Sequence, residues 1–161
     1  MIEQIDRRFF IGVLGAAGAA AALTGKAAAF APAAQPSFVM WHSPGCGCCL
    51  EWARRVQAEF GRPLRVIETA DIAAVKRASG IPADLHSCHT ARVAGILVEG
   101  HVPPADILRL VKSRSRIVRG LAVPGMPAGS PGMDVGHNVK QPYQVFAFGT
   151  GGKKSVFASY R

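Results

Sequence analysis

The sequence predicts an α/β fold, built as one domain from about residue 36 to residue 161. The chain has 161 residues, of which 49% are hydrophobic and 18% charged, so it carries enough apolar material for one core. Apolar runs typical of strands alternate with runs of helical periodicity between residues 38 and 113. Two further alternating runs, at 143–148 and 155–160, flank a glycine-rich turn and predict a C-terminal β-hairpin.

The first half of the domain is predicted to be strand, helix, strand and helix. A short buried strand, Phe38–Trp41, comes first. The following helix ends at Gly61, because glycine readily adopts the left-handed conformation found at helix ends. A second strand is predicted at Leu64–Val66, and a shorter helix runs from its N-cap Asp71 to Gly80. The apolar face of the first helix is formed by side chains at helical spacing: Cys49, Trp52, Ala53, Val56 and Phe60.

The second half adds a hairpin and a third helix. Gly95 is the predicted turn between strands at Thr90–Ala94 and Ile96–Glu99, and Pro103-Pro104 begins the helix. The order strand-helix-strand-helix-hairpin-helix, with cysteines at the head of the first helix, is the thioredoxin-like arrangement. Residues 114–140 then hold three prolines and five glycines, so they are expected to form a long Pro/Gly/Met loop without regular structure. The inward side chains of the third helix are Ile107, Leu108, Leu110 and Val111.

Residues 1–35 are interpreted as a twin-arginine-type signal peptide with a short linker. Arg7-Arg8 precede a Gly/Ala-rich apolar run to Leu23, and Lys26 follows. The run is too short and too weakly apolar for a comfortable membrane span. An uncleaved amphipathic anchor is the alternative. In both cases the domain is expected in the periplasm, an oxidising compartment. If the signal is removed, no membrane span is expected in the remaining chain.

Three of the four cysteines lie where the first strand passes into the first helix. Cys46 and Cys49 have the Cys-x-x-Cys spacing of redox and metal sites, and the unpaired N–H groups of a first helical turn favour thiolate. Cys48 is a third thiol that a dithiol oxidoreductase does not need, whereas a metal site does. Cys88 precedes the hairpin, where a glutaredoxin-like chain would carry a cis-proline facing the Cys-x-x-Cys. We therefore expect all four sulfurs to converge on Cu(I), in one or several ions.

Other uses of the cysteines remain open. Zinc would prefer two separated Cys-x-x-Cys pairs, and an iron–sulfur centre is a further option. A thiol–disulfide oxidoreductase without metal would use Cys46 and Cys49 as catalytic residues. Two stabilising disulfides are possible in an exported protein, although three cysteines within four residues serve no such purpose.

Histidines and methionines are the secondary candidates. His89 is a candidate ligand or orienting donor, and His42 a candidate for lowering the thiol pKa of Cys46. His101 is predicted to orient the turn into the third helix. Met126 and Met133 either supply thioethers to Cu(I) or fill gaps under the loop, which is also a candidate lid over the cysteines. Two histidines are assigned to surface loops: His86 and His137.

The net charge of +9 does not indicate a nucleic-acid partner. The arginines are spread along the chain, only two tryptophans and two tyrosines are present, and no nucleic-acid-binding motif occurs. The sequence shows no coiled coil or large apolar helical face, so a monomer is expected. The expected partners are copper ions and other exported copper-handling proteins.

Five segments together resemble, in order, the CopG-like family of exported bacterial proteins associated with copper resistance. The resemblance covers the chain from about Phe38 to Tyr160. It implies a thioredoxin-like fold, metal binding through cysteine and a role in copper handling. The expected function is copper buffering, transfer or resistance, together with copper or thiol redox activity. The segments are Pro44-x-Cys46-Gly47-Cys48-Cys49-x-x-Trp52, Ser87-Cys88-His89-Thr90, Glu99-Gly100-His101-Val102-Pro103, Gly120-Leu121-Ala122-Val123-Pro124-Gly125-Met126-Pro127 and Gly129-Ser130-Pro131-Gly132-Met133.

Overall fold

The structure is a computed structural model that describes residues 37–134 and 139–161. The predicted signal peptide at residues 1–35 lies outside this part of the chain. Within the two described ranges, no helix has both the length and the apolar character needed to cross a membrane.

The described residues form seven strands and three α-helices, which confirms the predicted α/β class. Two short 3₁₀ turns, Ala83–Leu85 and Thr150–Gly152, connect some of these elements. In chain order the elements are β1 (Phe38–His42), α1 (Gly47–Phe60), β2 (Arg65–Glu68), α2 (Ile72–Ser79), β3 (His89–Val93), β4 (Ile96–Glu99), α3 (Pro104–Ser113), β5 (Val118–Ala122), β6 (Tyr143–Gly149) and β7 (Lys154–Tyr160).

All seven strands belong to one mixed sheet in the order β2-β1-β3-β4-β5-β6-β7. β1 pairs in parallel with β2 and antiparallel with β3, where His42 lies opposite His89. β4 pairs in parallel with β5, and the C-terminal hairpin β6–β7 extends the sheet beyond β5. The end of β1 and the start of β3 therefore lie side by side at one end of the sheet.

The prediction of irregular structure throughout residues 114–140 is wrong at β5. The glycine within this strand, Gly120, does not mark a turn. A Cβ at Gly120 would collide with the Phe148 ring and lie 2.5 Å from the Leu97 carbonyl oxygen, so close packing between strands requires glycine there. The irregular part of the loop begins only after Ala122.

The end of α1 and the start of α2 are marked by the capping residues that the sequence predicts. Gly61 follows α1 with φ of 59°, and the Asp71 carboxylate accepts a hydrogen bond of 2.8 Å from the Ala74 N–H at the start of α2. The apolar face of α1 packs on the sheet, and Trp52 Nε1 donates to the Val102 carbonyl at 2.8 Å. This bond links α1 to the segment that leads into α3. The side chains of α1 that become buried are Cys49, Trp52, Ala53 and Val56.

Candidate metal centre

The cysteines lie at the end of the sheet where β1 passes into α1. Cys46 is the residue before the first turn of α1, Cys48 lies within that turn, and Cys49 points into the core and is fully buried. Cys88 directly precedes β3, the antiparallel neighbour of β1. Because β1 and β3 are paired, Cys88 lies next to the other three cysteines.

All four Sγ atoms lie within 4.8 Å of one another. Cys46 and Cys49 form a disulfide, whereas Cys48 and Cys88 are free thiols. The Sγ atoms of Cys46 and Cys48 are 3.4 Å apart. Two thiolates on one tetrahedral ion lie about 3.8 Å apart, given metal–sulfur bonds of about 2.3 Å, so this spacing suits shared ions once the disulfide is reduced. Ligation by the four cysteines stays a prediction.

Burial controls the protonation of Cys88. Desolvation raises the pKa of the Cys88 thiol to about 12, with a smaller contribution from Cys48, against the opposing effects of the Ser87 hydroxyl and Lys76. The metal-free side chain is therefore a neutral thiol at pH 7. An ion that binds Cys88 must displace its proton, which makes binding weaker as the pH falls.

Two buried imidazoles adjoin the sulfurs. His89 Nδ1 lies 3.3 Å from Cys88 Sγ, and both ring nitrogens of His101 lie 3.7 Å from it. The potential ligand atoms of Cys49, Cys88, His89 and His101 form a second group within 4.8 Å of one another. His101 was predicted to orient a turn, and its contact with Cys88 was not predicted. The surrounding Gly-His-Val-Pro sequence contains no second candidate ligand at a spacing typical of metal sites.

The same burial keeps both rings neutral. Desolvation lowers the pKa of His101 to about 4, although the Cys48 backbone and Asp134 act in the opposite direction. Desolvation also lowers the pKa of His89 well below its usual value, and His101 and Lys76 add to the effect. Neutral imidazole is the form that binds metal ions.

Neither His42 nor His86 belongs to these two groups of donors. His42 is buried at the end of β1 and its Nδ1 donates to the Ser43 carbonyl at 2.7 Å; its effect on the Cys46 thiol stays a prediction. His86 is half-buried rather than a free surface residue, with Nε2 donating to the Ile81 carbonyl at 3.2 Å. His137 lies outside the described residues.

A buried ion pair supports the segment that carries Cys88. Lys76 Nζ lies 2.5 Å from Glu99 Oε1, and their side chains are 5% and 0% exposed. The same carboxylate accepts bonds of 2.6 Å from the Ser87 N–H and from the Thr90 hydroxyl. The residue before Cys88 is thereby fixed to β4. This network could not be predicted from the sequence, since a lone lysine in a short helix is usually exposed.

Part of the Pro/Gly/Met loop packs against the start of α1. A cavity of about 550 Å³ opens beside Cys48, and both loop methionines line it. Met126 is 53% exposed, so it does not fill a gap in the core, and Met133 is partly buried. Thioether ligation by either methionine stays a prediction. The other residues that line the cavity are Gly47, Glu51, Arg54 and Gly132.

Replacing Gly132 with alanine is expected to lower the free energy of unfolding by about 2–5 kcal/mol and to move the loop away from α1. Gly132 has φ of +93°, and a Cβ there would lie 2.6 Å from the Cys48 carbonyl oxygen. The positive φ contributes about 1–2 kcal/mol and the collision about 1–3 kcal/mol. Gly125→Ala is the matched control, since φ is +66° but nothing lies within 4 Å. Equal losses for the two variants in urea unfolding would contradict the close packing of the loop.

The fold and the site define a class of protein: a mixed α/β domain with a candidate soft-metal centre at one end of its sheet. Two solved structures are similar to it. "Copper resistance protein copG- Form 2" is 41% identical, with 76% of this chain and 96% of that chain covered and a TM-score of 0.67. "Copper resistance protein copG- Form 1" is 40% identical, with coverages of 78% and 98% and a TM-score of 0.66. The chain belongs to the CopG family of copper resistance proteins.

A family model described as "Protein of unknown function, DUF411" matches residues 85–133. This range includes Cys88, His89, His101 and the two loop methionines. None of the curated proteins matches the chain. The copper resistance relatives and the clustered cysteines together support a function related to copper.

Proposed function

We propose that this chain is an exported protein that binds Cu(I) through Cys46, Cys48, Cys49 and Cys88, for copper buffering, transfer or resistance. The observation that carries the proposal is the convergence of four Sγ atoms, from two separate segments, within 4.8 Å. Thiolates are the ligands that Cu(I) favours in proteins. Residues 1–35 would act as a twin-arginine-type signal, and residues 36–161 as one periplasmic metal-binding domain that works as a monomer.

The strand order supports a thioredoxin-like unit within this domain. The elements from β1 to α3 follow the expected order, and their strands are arranged β2-β1-β3-β4 with β3 antiparallel to β1. α1 carries the Cys-x-x-Cys pair at its N-terminus. The hairpin β6–β7 and the Pro/Gly/Met loop are additions to this unit.

The spacing of the sulfurs favours more than one Cu(I). Three cysteines within four residues cannot all point along tetrahedral directions to one ion, but thiolates readily bridge neighbouring Cu(I) ions. Loading also requires an open disulfide. An external dithiol reductant would supply two electrons and two protons to convert the Cys46–Cys49 bond into two thiols, would itself become a disulfide, and the bound copper would displace the protons. Copper binding is thereby linked to thiol redox chemistry.

The alternative function is thiol–disulfide exchange, which the Cys46–Cys49 disulfide itself favours. Cys46 is partly exposed and Cys49 is buried, so Cys46 is the sulfur that can reach a substrate disulfide. In the reduced protein, the Cys46 thiolate would attack a substrate disulfide, break its S–S bond and release one substrate thiol while a mixed disulfide forms. Cys49 would then attack the Cys46 sulfur, which releases the second substrate thiol and re-forms the Cys46–Cys49 disulfide.

A Cu(I) titration of the full chain, reduced and handled without oxygen, tests the proposal. We expect a fixed stoichiometry above one Cu(I) per chain and a lower value for Cys88→Ser. His86→Gln is the matched control, because His86 lies two residues away and outside the sulfur cluster. Unchanged stoichiometry for Cys88→Ser would overturn the four-cysteine site. Turnover of a disulfide substrate that is lost in Cys46→Ser and kept in Cys88→Ser would favour the alternative function.

A further inference from the structure

We propose that the end of the sheet opposite the cysteines is a membrane-contact surface, which binds the anionic headgroups of a lipid bilayer. This basic surface consists of Lys112, Arg114, Arg116, Ile117 and Lys153, whose side chains are all exposed. The inference does not rest on the proposed Cu(I) site, since it uses no residue at the cysteine end of the sheet.

The strand directions place the basic surface away from the cysteines. Cys88 precedes β3, and the antiparallel β4 ends beside the start of β3, where Glu99 lies opposite Thr90. β5 is parallel to β4 and therefore begins at the other end of the sheet, together with the turn between β6 and β7. β5 spans five residues, which is about 15 Å of extended chain. A protein attached through this end leaves its cysteines facing away from the membrane.

The charges of the basic surface are not offset within the described chain. Residues 112–119 contain four basic residues and no acidic one. The four cations of the surface form no ion pair with any residue that the structure describes. Lys154 is not counted among them, because it pairs with Asp84. Each such cation close to an anionic bilayer is expected to tighten binding about fivefold.

Ile117 gives the basic surface an apolar centre. Its side chain is 78% exposed, the highest value among the exposed large hydrophobic side chains of the described residues. The turn that presents it is fixed, because Ser115 Oγ accepts from the N–H groups of Ile117 and Val118 at 3.4 and 3.2 Å. The Ile117 carbonyl also packs on Gly149, where a Cβ would lie 2.5 Å from its oxygen. Insertion of an apolar side chain together with cationic contacts is how peripheral proteins bind anionic bilayers.

The shape of the basic surface favours a bilayer over an acidic protein. Two turns at the end of the sheet form it, the connection from α3 to β5 and the turn between β6 and β7. The recess between them is small, about 220 Å³, and Ile117, Phe148 and Lys153 are among the residues that line it. A protein partner would need a matching concave surface, whereas mobile headgroups gather around separate cations and let one apolar side chain enter between them.

Co-sedimentation with vesicles tests the inference. Both hydrophobic clusters of the described residues lie wholly within residues 38–160, so residues 36–161 contain the complete core. This part is used without the apolar N-terminal segment, which would bind vesicles by itself. We expect binding to vesicles of phosphatidylglycerol and phosphatidylcholine, and none to phosphatidylcholine alone. Raising the salt from about 0.1 M to about 1 M should release the protein, since the screening length falls from about 10 Å to about 3 Å.

Two pairs of charge variants locate the binding surface. Arg114→Gln with Arg116→Gln should weaken binding about 25-fold, as two losses of about fivefold each. Lys140→Gln with Arg161→Gln is the matched control, because it removes two exposed cations that lie outside the basic surface. This control should bind nearly as the parent does. Equal weakening by the two double variants would overturn the inference, as would absence of binding to the anionic vesicles.

A pair of apolar variants separates a bilayer from other anionic partners. Ile117→Ser should weaken binding about tenfold or more, because the side chain no longer leaves water on binding. Val139→Ser is the control, since Val139 is 66% exposed and lies outside the basic surface. If Ile117→Ser bound the vesicles as tightly as the parent, the bilayer would be the wrong partner and an acidic protein the better one. Circular dichroism checks the folding of every variant.

Discussion

Replacing Lys76 with methionine is expected to lower the free energy of unfolding by about 3–5 kcal/mol, a large part of the stability of a domain this size. The substitution removes the cation but leaves the Glu99 carboxylate, which is 0% exposed, without a counter-charge. That carboxylate also accepts the Ser87 N–H at 2.6 Å, so its displacement should loosen the backbone beside Cys88. Urea unfolding of the metal-free protein, followed by circular dichroism, measures the loss.

Lys154→Met is the matched control, because Lys154 pairs with Asp84 at an exposed position. Such surface pairs contribute about 0–1 kcal/mol. The double variant Lys76→Met with Glu99→Gln should recover part of the stability, since no buried charge is left unpaired. The assignment of a buried, stabilising network would be untenable if Lys76→Met cost no more than Lys154→Met.

Trp52→Ala is expected to cost about 3–5 kcal/mol, because the side chain is fully buried and its removal leaves a cavity in the core. The indole ring packs on His89 at 4.4 Å, and Nε1 donates to the Val102 carbonyl at 2.8 Å. Trp52→Phe keeps most of the packing but leaves that carbonyl without its donor, at a cost of about 1–3 kcal/mol. Thermal unfolding of the metal-free variants gives both values.

Trp41→Ala provides the comparison within the same chain. Trp41 lies on β1 and is partly exposed, so its removal opens no closed cavity and should cost less than Trp52→Ala. A cost for Trp41→Ala as large as that for Trp52→Ala would contradict the full burial of Trp52 in the core.

Fold features with local causes could be predicted from the sequence. The helix α1, its end at Gly61 and the hairpin β6–β7 follow from side-chain periodicity and turn residues that lie next to each other in the chain. β5 could not be predicted in this way. Its glycine reflects the approach of Phe148 from a strand more than twenty residues later, and the neighbouring prolines conceal its short apolar pattern.

The candidate site also contains features with local causes, which could be predicted, and features with long-range causes, which could not. Cysteine spacing identifies the candidate sulfur donors, because one residue type at four positions already indicates thiol chemistry. The place of His101 depends on the β3–β4 hairpin, which carries the chain back so that the Gly100 N–H donates to the His89 carbonyl at 2.9 Å. No local sequence pattern predicts that the hairpin brings Gly100 and His101 back to His89. The pairing of Lys76 with Glu99 could not be predicted from local patterns either, since it joins residues 23 positions apart.

The antiparallel pairing of β1 with β3 has a consequence for folding. Residues 46–49 and residue 88 become neighbours only after a long stretch of chain has closed, and such distant closure is slow relative to helix formation. Any ion that needs both segments binds the native state and not the unfolded ensemble. By mass action it then adds about 2.7 kcal/mol to stability at a hundredfold excess over its Kd, so the melting temperature of the domain would report the metal concentration around it.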